Sequence, residues 1–188
     1  MHSLKERLRQ LENDLVAVPI RISNETKIPF AIFQYDPTEE FEMQRRLANF
    51  KISLEKNYLK KVQIVSLAAI MFKLIEEAAG LEFFWKAEEQ HGLDRANDTI
   101  YKILTEVKPL ENEILDVISL LDPDESVIFL TRAGALFPAF RTSALLEGIR
   151  GKVEIPTILF YPGHREGPVG LKFMGIYEAD HNYRVKIY

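Results

Sequence analysis

A chain of 188 residues, 47 % hydrophobic and 28 % charged, has the makeup of a soluble globular protein and the length for one α/β domain with a sizeable core. Its net charge of −4 argues against general nucleic-acid binding, which draws on clustered Lys and Arg to displace counterions from phosphates. The lack of cysteine excludes disulfides, thiolate zinc sites and cysteine nucleophiles; with a charged amino terminus and no run of about 18 apolar residues, the expectation is a cytoplasmic protein that does not span a membrane.

Over residues 4–18, Leu4, Leu8, Leu11 and Leu15 recur three or four apart, which predicts an amphipathic helix behind Ser3 as N-cap. Two uses stay open for its leucine seam: packing on its own core, the commoner fate of such helices, or oligomerisation through a second subunit. The run IPFAIFQYDP, residues 28–37, reads as a buried strand closed by a turn, and a helix follows from Thr38, taken as its cap, to about Asn57. KKVQIVSL, residues 60–67, repeats the strand-to-helix pattern, with Gly80 placed to end its helix.

Residues 81–121 show helical spacing only, in three runs beginning LEFFWK, DRANDT and PLENEI. Of the aromatic trio Phe83, Phe84 and Trp85, the preferred reading is helical core, with an exposed protein-binding anchor as the alternative. Further on, 125–131 is a buried strand, 141–149 most of a helix, 153–163 another strand, and 171–188 one or two more with a hairpin turn at 180–182. Alternating strands and helices predict a single three-layer α/β domain: a mainly parallel, Rossmann-like sheet of four to six strands, a helical insertion in the middle and antiparallel edge strands at the carboxyl end.

Ligands of open α/β sheets collect beyond the carboxyl ends of the strands. Here those ends carry Gln34-Tyr35-Asp36, Ser66, Thr131-Arg132-Ala133-Gly134 and Tyr161-Pro162-Gly163-His164-Arg165. No nucleophile beside a base, phosphate loop or dinucleotide turn is among them, and His2, His91, His164 and His181 form no ligand pair, so neither cofactor nor metal is expected. Asp36 before Pro37 reads as turn chemistry. The acids between Glu106 and Glu125 form a solvated face or a surface for a basic partner. Arg132 and Arg141 could clamp an anion together, but pairing with a carboxylate such as Asp36 or Glu166, or contact with a protein, is preferred. Gly134 is expected to allow a tight exit from the strand, and Pro138 to sit near the next helix start.

The run VIFLTRAGALFPAFRTSALLEGI, then VEIPTILFYPG and LKFMGIYEADHNYRVKI, resembles the BrxB family of the BREX bacteriophage-defence systems, and LKERLRQLENDL with IPFAIFQYDP is similar to that family's opening. The resemblance implies a small component without enzyme activity of its own, an assembly partner of larger BREX proteins including the PglZ alkaline-phosphatase-like protein. It places the family's distinctive positions on Thr131, Gly134, Pro138, Arg141, Tyr161, Pro162 and Gly163. Where Arg132 stands the family more often has a small or apolar residue, which shifts weight to Arg141.

Overall fold

The computed structural model describes residues 3–23, 29–167, 170–180, 183 and 185–188. Helix α1 (Leu4–Leu15) opens with a capping box in which Ser3 and Glu6 satisfy each other's backbone N–H groups. After β1 (Phe30–Tyr35) the cap is Asp36 rather than Thr38: its carboxylate accepts the Thr38 N–H at 2.8 Å and hydroxyl at 2.6 Å, and a 3-10 turn, Pro37–Glu39, leads into α2 (Glu40–Tyr58). A short carboxylate bonding two residues ahead with proline at the first helical position explains the shift. Strand β2 (Lys61–Ser66) passes directly into α3 (Leu67–Ala79), where Ser66 serves as cap by accepting the Ala69 N–H, and Gly80 at φ +79° ends the helix.

The helical segment comprises α4 (Leu81–His91), α5 (Leu93–Lys102), a π-helical turn at Ile103–Val107 and α6 (Leu110–Ser119). Strand β3 (Ser126–Thr131), α7 (Thr142–Ile149), β4 (Thr157–Glu166), β5 (Gly170–Phe173) and β6 (Lys186–Ile187) complete the elements. Among the described residues there are thus six strands and seven α-helices in a mainly parallel α/β arrangement.

The strand order is β2-β3-β4-β1-β6, all parallel, with β5 antiparallel to the far half of β4. Only β5 is the antiparallel strand expected near the carboxyl end; β6 instead lies parallel beside β1, with Ile32 opposite Ile187. Of the hairpin turn expected at 180–182, residues 181 and 182 fall outside the described residues, as do His2 and His181, while Asp180 bridges antiparallel to Leu171.

Period-two alternation sorts the strand side chains between two cores. Ala31, Phe33, Tyr35, Phe129 and Phe160 face Leu8, Leu11 and Leu15 of α1 and Met43, Leu47, Phe50 and Leu54 of α2. Phe30, Ile32, Leu130, Leu159 and Tyr161 face α3 to α7. The handedness of crossovers accounts for the split: β1 to β2 travels to the far edge and β2 to β3 to β4 travels back, so their connections cover opposite faces.

The leucine seam of α1 is therefore used by its own sheet and is not offered to a second subunit. A polar clasp fixes it there: the Tyr188 hydroxyl donates to Asp14 at 2.8 Å, Lys186 pairs with the same carboxylate, and Arg21 lies 3.7 Å away. At the other side of the sheet, β2 is an edge. Lys61 N–H donates to Glu125 of the β3 side, so Val62 and Ile64 turn their backbone groups outward. Those groups are partly covered: Val62 carbonyl accepts Lys51 Nζ, Val62 N–H reaches Glu55 Oε1 at 3.4 Å, and Ile64 carbonyl accepts Gln63 Nε2 at 3.4 Å. Side chains laid over an edge oppose pairing with a foreign strand.

Candidate functional site at the carboxyl edge of the sheet

Neighbouring strands β1 and β4 lead into connections on different sides of the sheet, so the crevice between their carboxyl ends is where an α/β ligand site is expected. The chain fills this crevice with its own groups. Gln34 Nε2 donates to the Gly163 carbonyl at 2.6 Å. Arg7, reaching over from α1, donates to the Gln34 carbonyl at 2.7 Å and to the Tyr188 carbonyl at 3.3 Å, with its guanidinium over the Phe33 ring at 5.1 Å. Burial lowers the Arg7 pKa from its ordinary value, the cost of holding a cation over strand ends.

The FYPG motif explains itself here. Tyr161 is buried, and its hydroxyl donates to the Leu171 carbonyl at 3.4 Å and accepts from Tyr183 at 3.5 Å; Thr142 lies 3.3 Å beyond, and burial raises both phenol pKa values. Pro162, which has no N–H, is the last β4 residue paired with β1, and its carbonyl accepts the Met174 N–H at 3.0 Å. From Gly163 onward β4 pairs with β5, and a Cβ on Gly163 would land on the Lys172 carbonyl oxygen and the Tyr161 ring. Pro162 and Gly163 thus transfer β4 from one partner strand to another.

The segment after β5 crosses these strand ends as a strap. Met174 packs over Gly134, where a Cβ would stand 3.3 Å from its Sδ and 3.4 Å from Pro162. This corrects the expected role of Gly134: the left-handed residue at the strand exit is Arg132, φ +58°, and at Gly134 the strap comes close enough that a methyl group would press on the Met174 thioether. Pro138 does lie near the next helix start, three residues ahead of its cap and not within its first turn. It follows a cis peptide bond, ahead of the cap residue Arg141, and its carbonyl accepts the Tyr177 hydroxyl at 2.6 Å. Gly175, φ +72°, leaves room for the His164 imidazole, whose Nδ1 is 3.8 Å from Asp36.

The two arginines part company. Arg132 Nε lies 3.7 Å from Glu40, whose other oxygen accepts the Tyr35 hydroxyl, whereas the exposed Arg141 lays its guanidinium 4.8 Å over the Tyr177 ring. With separate partners they form no joint clamp, and the carboxylate beside Arg132 is Glu40, not Asp36 or Glu166, the latter being paired with Lys172. Thr131 is buried with its hydroxyl 3.4 Å from the Val65 carbonyl. Sequence reasoning missed Glu40, Met174 and Tyr177. Glu40 was visible as a first-turn acid, but nothing local announces that Tyr177 would fold back onto Pro138 and Arg141.

Among the described residues no group of three or more His, Asp or Glu side chains could hold a metal, and no helix is long and apolar enough to cross a membrane. Residues 63–187, which carry the strand ends, the strap and α7, match the family described as "BREX protein BrxB". The chain belongs to the BrxB family. A BREX protein BrxB of Bacillus cereus (strain H3081.97) is 24 % identical over 189 residues, covering 98 % of this chain and 96 % of that protein, so the likeness extends to α1, β1 and α2. No solved structure matches. BrxB membership supports a role in BREX phage defence.

Proposed function

We propose that this BrxB protein is a non-enzymatic accessory component of a cytoplasmic BREX system, acting by binding other BREX proteins, foremost a PglZ-like one, without contacting nucleic acid or membrane itself. The observation that carries this reading is the filled crevice between β1 and β4: Arg7, Gln34 and the carbonyls of Gly163 and Tyr188 occupy the position where an α/β enzyme would receive substrate. The FYPG run is accounted for by backbone and packing needs, which leaves, beside the exposed Pro138 and Arg165, the exposed side chains of Arg132, Arg141 and His164. Those three and the acidic helical segment are the surfaces offered to a partner. Co-expression of the tagged protein with each BREX component should retain at least one at moderate salt, and deletion of this protein should abolish phage restriction. Retention of none of them sinks the reading.

A cleft of about 450 Å³ beside α7 supports a second reading, a sensor or enzyme domain for a nucleotide or other phosphorylated small molecule, because Arg141, Ser143, Arg150 and Tyr183 line it, although Glu147 and Asp180 line it too and offset the arginine charge. A ligand that binds only the folded state raises apparent stability, so a thermal shift with nucleotides that Arg141→Ala abolishes would favour it.

A further inference from the structure

Helices α4 and α5 are the least anchored of the seven: each has one buried residue, Phe84 and Ala96 respectively. Phe83, Trp85 and Leu93 stay 68 %, 57 % and 67 % exposed. This corrects the preferred sequence reading of the aromatic trio. Successive helical residues point about 100° apart, so only Phe84 of the three can face the core. Exposed apolar residues are common singly, but tryptophan is enriched among interface anchors, and here it stands beside Phe83 and Leu93 on thinly attached helices.

Trp85 and Leu93 form the floor of an open groove of about 620 Å³ between the two helices, with Glu82, Lys86, Glu88 and Glu89 around it. The Lys86 charge is answered by Glu82 at 2.8 Å, while Glu88 and Glu89 carry no ion pair among the described residues. The charge is regional as well as local. Residues 81–125 hold twelve carboxylates against four Lys and Arg, a net of −8 in a chain whose total is −4.

We infer that this groove docks a basic segment of a partner protein, one carrying Lys or Arg next to an apolar side chain. The apolar group would lie on Trp85 and Leu93, a guanidinium could stack on the indole face, and the cations would meet Glu88 and Glu89. Charge favours such a partner over a second copy of this chain, which has a net charge of −4 and would bring the same acidic 81–125 region with it.

The inference rests on the reading of this protein as an assembly component and adds the surface and the chemistry of the partner. The test uses the full chain and the BREX protein that co-purifies with it. Titration calorimetry at two salt concentrations would compare the unmodified chain with Trp85→Ala, with the double reversal Glu88→Lys/Glu89→Lys, and with Lys56→Ala, an exposed α2 position on the opposite face of the sheet. Trp85→Ala should weaken binding at least tenfold, and the double reversal should weaken it and flatten its salt dependence. Lys56→Ala should stay within about twofold, and hydrogen exchange should slow over residues 82–93 in the complex. Binding within twofold for both groove variants overturns the inference while leaving the assembly reading intact. Sedimentation showing that Trp85→Ala dissolves a homodimer overturns it in favour of a second copy, and failure of the unmodified chain to bind any BREX protein overturns both readings.

Discussion

Helices α1 and α4 are both amphipathic and both lie outside the sheet, yet they finish in opposite states. The first buries Leu8, Leu11 and Leu15 and is clasped to the carboxyl end through Asp14, Lys186 and Tyr188. The second buries Phe84 alone and leaves two aromatic rings in water. An apolar stripe three or four residues apart promises a neighbour, but whether that neighbour belongs to the same chain depends on register: leucines spaced by helical turns share one face, whereas three consecutive aromatics cannot.

Stability measurements can break this contrast. Leu11→Ala should cost about 3 kcal/mol in urea denaturation, because a fully buried leucine is removed from a packed layer between α1, α2 and the sheet. A loss near zero would mean that α1 is only loosely held. Gly163→Ala should cost about 2 kcal/mol by the same assay, since the added methyl group forces apart the point where β4 changes partners. Asp36→Ala should cost about 1 kcal/mol through loss of the cap. Bonds from Thr38 hold the Asp36 carboxyl below its ordinary range, so its contribution is complete above the unfolded pKa and fades as pH falls through the folded one; the Ala variant should lack that acid-side decline. Trp85→Ala should change stability by less than about 0.5 kcal/mol, as expected for a side chain more than half exposed on a thinly anchored helix. A loss as large as that of Leu11→Ala would place the indole inside the protein's own cooperative unit and erase the distinction between the helices.

Much of the architecture was legible from periodicity and punctuation. The strand-to-helix units around Asp36, Ser66 and Gly80 follow from turn and cap chemistry within a few residues, and the alternating strands imply a sheet covered on both faces. What was not legible is long-range. Nothing near Lys186 reveals that it will lie parallel to β1, because a two-residue strand has no period to read. The left-handed conformation at Arg132 was equally hidden: Gly134, two residues on, suggested itself, while an arginine takes φ +58° only because the surrounding fold imposes it. At the strand ends, residue types favoured pairing of the arginines over an anion clamp but not with which groups; the partners, Glu40 and Tyr177, come from α2 and from the strap after β5.

The place of β1 in the sheet sets the order of synthesis against the order of assembly. Its neighbours are β4 and β6, so Phe30 meets Thr157 and Ile32 meets Ile187. As the chain emerges from the ribosome, FAIFQY stays without strand partners until β4 and β6, more than a hundred residues further on, have followed. Such distant pairings are slow to form, and during that interval an aromatic strand, later shielded on both faces and both edges, is open to chaperones and to aggregation.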